Sequence, residues 1–321
     1  MQKVIIDCDP GMDDSVALIL AAKSPTLNVL GVTTVSGNLP VAKTTHNALT
    51  VLELLKRPDI PVYKGMGKPL IRPLPSDPFS HGDDGLGNNH HPAPVLAAHP
   101  GHAVDFIIDS VRQHPHEITI ITLAPLTNLA MALLKAPDIA PLIKRVVAIA
   151  GAWGTNRASF ENATGDNPQS EWNVFVDPEA AKIVLESGVA FQAVGLDVAT
   201  HFNVNVSEDD ILRLEHSPQP EANHAAKMMR FVLGRGYQSY CVMIDAMAVA
   251  AVLIPDLLKT VPARVAVETQ GQVTLGQTVA DFRHSHNWQH LPEIQVSVEA
   301  DYHRFITLVL DTLCAQDTAK K

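Results

Sequence analysis

Short apolar runs alternate with amphipathic stretches along almost the whole chain, and this rhythm limits the possible folds more than any other feature. Strands are expected at residues 4–7, 27–35, 62–65, 118–123, 146–151, 191–197, 264–268 and 294–298. Most are continuous Val/Ile/Leu runs rather than strict alternations, as strands buried on both faces of a parallel sheet require. Helical periodicity fills residues 14–22, 41–55, 102–113, 126–135, 178–187, 222–233 and 246–254. The order predicts an α/β fold: an open, mainly parallel central sheet flanked by helices, with a Rossmann-like core. Polar or Pro-rich breaks at 69–94 and 153–170 read as long loops, because the rhythm resumes after each, so residues 1–321 are expected to form a single domain. Ligands of such sheets lie beyond the carboxyl ends of the strands, which directs attention to the residues just after each apolar run.

After the first run, Asp7-Cys8-Asp9-Pro10-Gly11-Met12-Asp13-Asp14 places four carboxylates in eight residues. Like charges this close disfavour one another unless something positive lies between them. Hard oxygen donors suit Ca²⁺ or Mg²⁺, and Pro10-Gly11 supplies the turn that folds Asp9 back towards Asp13 and Asp14. Two other readings compete. Asp13 and Asp14 suit the first turn of a helix, with Asp7 capping a turn. Asp-x-Asp after a first strand also resembles the phosphoaspartate motif of haloacid-dehalogenase-type phosphatases. There a Gly-Thr follows the second Asp, whereas here Pro10-Gly11 and two further acids follow, with no later cationic partner for phosphate.

Composition narrows the field further. Twenty-four Lys and Arg against 34 Asp and Glu give a net charge of −10, and no basic run appears, so nucleic acid and anionic membranes are not expected partners. The hydrophobic share of 46% is ample for a packed core. Cys8, Cys241 and Cys314 fall in no metal-ligand or redox spacing and read as free thiols of a cytoplasmic protein. The N-terminus runs straight into a strand ended by acids, so no signal peptide is expected, and no apolar run approaches the roughly 18 residues of a membrane span.

The acidic block, continued as Ser15-Val16-Ala17, is followed by Thr33-Thr34-Val35-Ser36-Gly37-Asn38, His81-Gly82-Asp83-Asp84-Gly85-Leu86-Gly87 and Leu126-Thr127-Asn128-Leu129-Ala130. Glu171-Trp172-Asn173 with Asp177-Pro178-Glu179-Ala180-Ala181, Val194-Gly195-Leu196-Asp197 and Thr278-Val279-Ala280-Asp281 complete the set. In this order and spacing, the blocks resemble the inosine–uridine-preferring nucleoside hydrolases. The resemblance implies hydrolysis of the N-glycosidic bond of purine or pyrimidine ribonucleosides to ribose and free base, with one Ca²⁺ per chain. It assigns the metal to Asp9, Asp14, the backbone carbonyl of Leu123 and Asp245, with Asp9 also the base that activates water. Asp245 opens a helix-like stretch, where an ordinary N-cap is the plainer reading.

By the same resemblance Asp13, Asn38, Glu171 and Asn173 recognise ribose, together with Asn162, with Asn167 the alternative. Trp172 stands where relatives carry Phe, and either stacks on the base or packs the core. The main departure is Ile244, before Asp245, where relatives commonly place a His that protonates the leaving base. An aliphatic side chain gives no proton, so His81, Tyr237 and Tyr240 become the candidate acids, His81 having the ordinary pKa closest to neutrality. The missing acid also motivates an alternative function, a nucleoside- or ribose-binding protein without turnover. His284, His286 and His290 are read as a solvated loop rather than a transition-metal site. The expected partner is a small ribonucleoside, and the family implies a homo-oligomer, dimer or tetramer.

Overall fold

The computed structural model describes residues 1–316 except residues 78, 157, 162, 284 and 285. Nine strands, β1 (Gln2–Cys8), β2 (Leu27–Thr34), β3 (Val62–Lys64), β4 (Thr119–Thr122), β5 (Arg145–Ile149), β6 (Phe191–Val194), β7 (Leu258–Val267), β8 (Thr278–Asp281) and β9 (Glu293–Ala300), form one sheet. Its order is β3-β2-β1-β4-β5-β6-β9-β7-β8, parallel from β3 through β9 and antiparallel where β7 pairs with β9 and β8. The helices are α1 (Met12–Lys23), α2 (Val41–Leu54), α3 (Ala103–Gln113), α4 (Thr127–Lys135), α5 (Trp172–Val176) and α6 (Pro178–Glu186). They continue with α7 (Leu196–Ala199), α8 (Glu208–Glu215), α9 (Pro220–Gly234), α10 (Ala246–Leu253) and α11 (Tyr302–Cys314). None of these is long and apolar enough to cross a membrane.

Helices cover both faces, which is why the central strands read as unbroken apolar runs. In β1, Val4 and Ile6 point into one core with residues of α1, α9 and α10, while Ile5 points into the opposite core with residues of α3, α4 and α6. Helices α1 and α10 are buried almost end to end, as their Ala, Val, Leu and Met content allows.

Several expected elements differ in extent. The run 191–197 ends as a strand at Val194, and Leu196–Ala199 turns into a short helix. Asp197 explains the break, because its carboxylate accepts the Trp153 N–H at 2.7 Å and the Thr155 N–H at 2.7 Å. The run 264–268 is only the end of the ten-residue β7, whose first half contains Pro262 and is more exposed. Strand β8 and helices α5, α8 and α11 are likewise additional to the expected set. Helix α8 buries only Ile211 and Leu214, too few to print a periodicity.

Strand β1 lies between β2 and β4, so the chain leaves it in one direction and returns on the other side. At such a switch point the loops diverge and open a crevice at the strands' carboxyl ends.

Candidate active site

The first acid of the knot is a brace. Asp7 Oδ1 accepts the Thr33 hydroxyl at 2.6 Å and the Asn128 amide at 2.8 Å. Asn128 also donates to Thr34 O at 3.1 Å and accepts from Met66 N, tying β1, β2 and α4 together. Burial lifts the Asp7 pKa to about 6 against the opposing pull of these two bonds.

The next three acids sit on the turn and on the first residues of α1. Asp14 accepts the Asp9 N–H at 3.0 Å and the Gly11 N–H at 2.9 Å, closing the Pro10-Gly11 turn over its own carboxylate. A Cβ on Gly11 would fall 2.4 Å from His81 Nδ1, so the absence of a side chain lets His81 seat against the turn. Gly37 plays the same part for Asp9: a Cβ there would lie 2.0 Å from Asp9 Oδ2, the oxygen that accepts the Asn38 N–H at 2.5 Å. The Asn38 amide reaches Asp14 Oδ2 at 3.3 Å.

From the far end of the chain, Asp245 arrives at the head of α10. It caps nothing there, in contrast to the N-cap reading. Instead its carboxyl joins those at the start of α1: oxygens of Asp13, Asp14 and Asp245 lie within 4.8 Å of one another. Carboxyls this close need a shared proton or a cation. Burial drives Asp9, Asp13 and Asp245 far above the usual carboxylate range, like charges reinforcing it, and lifts Asp14 to about 6. Asp9 Oδ1 and Asp13 Oδ1 are buried without a hydrogen-bond partner. An anionic, all-oxygen cup with orphaned acceptors fits a hard divalent cation. The set drawn together includes Asp13, which the resemblance gave to ribose. Asp9 stands beside it, within its electrostatic reach.

Glu171 and Asn173 come from the start of α5. Glu171 accepts the N–H groups of Asn173 at 2.8 Å and of Val174 and Gly151 at 3.1 Å, while burial raises it to about 7. The Asn173 amide donates to Leu123 O at 3.0 Å and Ile149 O at 3.1 Å, joining the ends of β4 and β5. Leu123 O thus takes a side-chain donor at the end of β4 and keeps a lone pair beyond the one Asn173 uses.

Asp13, Asn38, Leu123, Ile149, Glu171, Asn173 and Asp245 line one cavity of about 270 Å³ that also takes in His81, Glu161, Trp172, Arg235, Tyr237, Tyr240, Cys241 and Ile244. Trp172 is 9% exposed, with its ring centroid 6.0 Å from that of Phe175 and its indole N–H unpartnered. Asn167 does not line the cavity: its amide donates to the distant Leu275 O at 2.9 Å, and its Oδ1 accepts from Gln169 N and the Ser170 hydroxyl within its own loop. Asn162 and His284 lie outside the described residues.

The candidate acids His81, Tyr237 and Tyr240 all line the cavity, in different surroundings. His81 accepts the Met12 N–H on Nδ1 at 3.1 Å, and burial lowers its pKa to about 4, so near neutrality it is a neutral imidazole protonated on Nε2. Tyr240 donates its hydroxyl to Glu161 Oε1 at 3.0 Å, and burial raises its pKa further from neutrality. Tyr237 stays 53% exposed at the rim. Glu161, Arg235 and Cys241 were not anticipated. They adjoin Asn162 and Tyr240 or lie close before Tyr237, so proximity in sequence to chosen residues was the available signal.

Fold and site together define an open α/β enzyme whose cavity stands above a buried acidic cup at the sheet's switch point. The profile of the inosine-uridine preferring nucleoside hydrolases matches residues 4–307. An uncharacterised protein of Schizosaccharomyces pombe is 40% identical over 87% of this chain and 89% of its own. The pyrimidine-specific ribonucleoside hydrolase RihA of Salmonella agona is 36% identical over 97% of both chains. Among solved structures, a plant nucleoside hydrolase superimposes with a TM-score of 0.88 at 32% identity, covering 98% of this chain and 99% of that one. A purine-preferring ribonucleoside hydrolase from Gardnerella vaginalis gives 0.85 at 28% identity, covering 98% of both. The chain belongs to the inosine-uridine preferring nucleoside hydrolase family, and it is a ribonucleoside hydrolase.

Proposed function

We propose that the chain, acting as a single cytoplasmic domain within a homo-oligomer, hydrolyses purine or pyrimidine ribonucleosides with one Ca²⁺ per chain. The observation that carries this reading is the buried acidic cup, in which Asp9 Oδ1 and Asp13 Oδ1 have no hydrogen-bond partner and from which Asp13 and Asp245 line the cavity. Asp9, Asp14, Asp245 and the Leu123 carbonyl would hold the cation, with Asp13 beside them. When bound, it supplies the charge that lets the acids ionise together, lowers the pKa of water and grips ribose hydroxyls.

The chain's own residues do the rest. Asp9 takes the proton of the attacking water on its unpartnered oxygen, a role in which general bases are worth about 10²–10⁴-fold. Asp13, Asn38, Glu171 and Asn173 surround the sugar with acceptors and amide donors, and Asn162 is assigned to the same task. Their carboxylates stabilise the positive charge that develops on the ribosyl ring as the C1′–N bond breaks. Neutral His81 donates a hydrogen bond from Nε2 towards the base, and Tyr237, Tyr240 and Trp172 wall the base region.

Incubation with uridine, cytidine and inosine in the presence of Ca²⁺ tests this directly. Free base and reducing sugar are expected in equal amounts, with the 2′-deoxy analogues strongly rejected because buried partners of the lost hydroxyl go unpaired. No reducing sugar from any ribonucleoside would overturn the reading.

A further inference from the structure

The donor assigned to the departing base, His81, stands on a loop that no helix or strand stiffens. The loop is nevertheless wound tightly. Asn88 and His90 hold φ of 58° and 53°, a left-handed conformation that residues with a Cβ avoid. Such backbone persists only where its surroundings over-determine it.

The Asp84 carboxylate does that work. Its Oδ1 accepts the N–H groups of Leu86 at 2.7 Å and Asn88 at 2.9 Å, and its Oδ2 accepts that of His90 at 2.8 Å. Against the upward pull of burial, these three N–H groups keep the Asp84 pKa below the usual carboxylate range. The bonds are therefore made to an anion, the stronger kind. Asp84 itself does not line the cavity.

The winding is passed on to His81. The Gly87 N–H donates to His81 O at 2.9 Å, so the backbone that Asp84 organises also holds the histidine. On one side, the buried Asn47 of α2 donates to Asp84 O at 3.3 Å and to Pro10 O at 3.0 Å. That pins the loop to the turn before α1, whose Met12 N–H His81 Nδ1 accepts. On the other side, Asn89 donates to His224 O at 3.3 Å, and the rings of His91 and His224 share a hydrogen bond of 2.9 Å, joining the loop to α9. The imidazole is thus held from its backbone and from Nδ1, which leaves Nε2 a single direction. Direction matters, because a hydrogen bond weakens steeply as its angle closes.

We propose that Asp84 is a positioning residue for cleavage of the glycosidic bond: by winding this loop it aims the His81 N–H at the leaving base. It thereby sets how poor a leaving group the site can expel. The proposal rests on the hydrolase reading above and on the place of His81 in it. Asp84 exchanges no proton with the substrate.

The test is a double-mutant cycle on kcat for uridine, with p-nitrophenyl riboside, whose leaving group needs little protonation, as the control substrate. His81→Ala should lower kcat on uridine by about 10²-fold, the scale of general-acid help. Asp84→Ala should lower it by about tenfold to 10²-fold, the scale of a small misplacement, with KM changed far less. The double variant should lose no more than His81→Ala alone, because a residue that acts through another adds nothing once that other is gone. On p-nitrophenyl riboside Asp84→Ala should change little. Asp84→Asn, which keeps one acceptor oxygen and loses the charge, should show the same pattern at smaller size, and it carries the test if the alanine variant fails to fold. Additive losses in the double variant, or equal losses on the two ribosides, would make Asp84 a brace of the fold and overturn the proposal while leaving the hydrolase intact. Unchanged uridine turnover in either single alanine variant would overturn it as well. Failure of the unaltered protein on both ribosides would remove the hydrolase reading and this one with it.

Discussion

Asp7 and Asp9 are two residues apart and both fully buried, yet they are built for different work. Each keeps one oxygen buried and unpartnered, but Asp7 holds its other on two side chains, Thr33 and Asn128, that tie β1 to β2 and α4, whereas Asp9 holds its other on the Asn38 N–H at the acidic cup. Asp9→Asn should therefore lower kcat by about 10²–10⁴-fold with a much smaller change in KM. Near-normal turnover in steady-state assays would remove Asp9 from the chemistry. Asp7→Asn should act chiefly on stability, losing about 1–3 kcal/mol in denaturant unfolding because its partners are left poorly matched. The sequence announced the acids but not this division of labour. Which carboxylate serves as a brace depends on Thr33 and Asn128, 26 and 121 positions away. His81 shows the same limit: its place at the cavity was legible, but its protonation follows from burial and from the Met12 N–H, which only the folded chain brings to it.

At the scale of elements, continuous apolar runs were legible because burial on both faces leaves the strands no polar positions. What escaped was short or interrupted: β8 is four residues, β7 carries Pro262, and Asp197 ends β6 early to hold the loop after Trp153. The cup depends on one joint that the blocks did mark, Ser36-Gly37-Asn38 at the end of β2. Gly37→Ala would force its methyl against the Asp9 carboxylate and the Pro125 ring. Relief must come from moving the segment that delivers the Asn38 N–H, so overpacking of about 1–3 kcal/mol is expected together with a loss of turnover. Thermal unfolding and kcat measured on the same preparation should fall together. A variant with normal turnover and normal melting would show that the joint has slack the structure does not display.

For the whole molecule, the cup sets how stability responds to pH and to metal. Burial raises Asp7 and Asp14 to about 6, Glu171 to about 7, and Asp9, Asp13 and Asp245 further. Unfolded, such groups titrate near about 4. Between these limits the native chain binds more protons than the unfolded one, so the metal-free protein must lose stability as pH rises from about 4 through 7 and beyond. A divalent cation reverses the balance, since it binds the ionised carboxylates and competes with the protons. At a hundred times its dissociation constant a ligand adds about 2.7 kcal/mol, and the dissociation constant itself tightens as the acids ionise. Melting temperatures recorded in EDTA and in excess Ca²⁺ from about pH 5 to 8 should thus diverge: the EDTA curve descends, the calcium curve holds or climbs, and the gap widens with pH. A gap that stays constant across the range would mean that the buried carboxylates do not release protons when calcium binds. The cup would then not be the site at which the cation stabilises the fold.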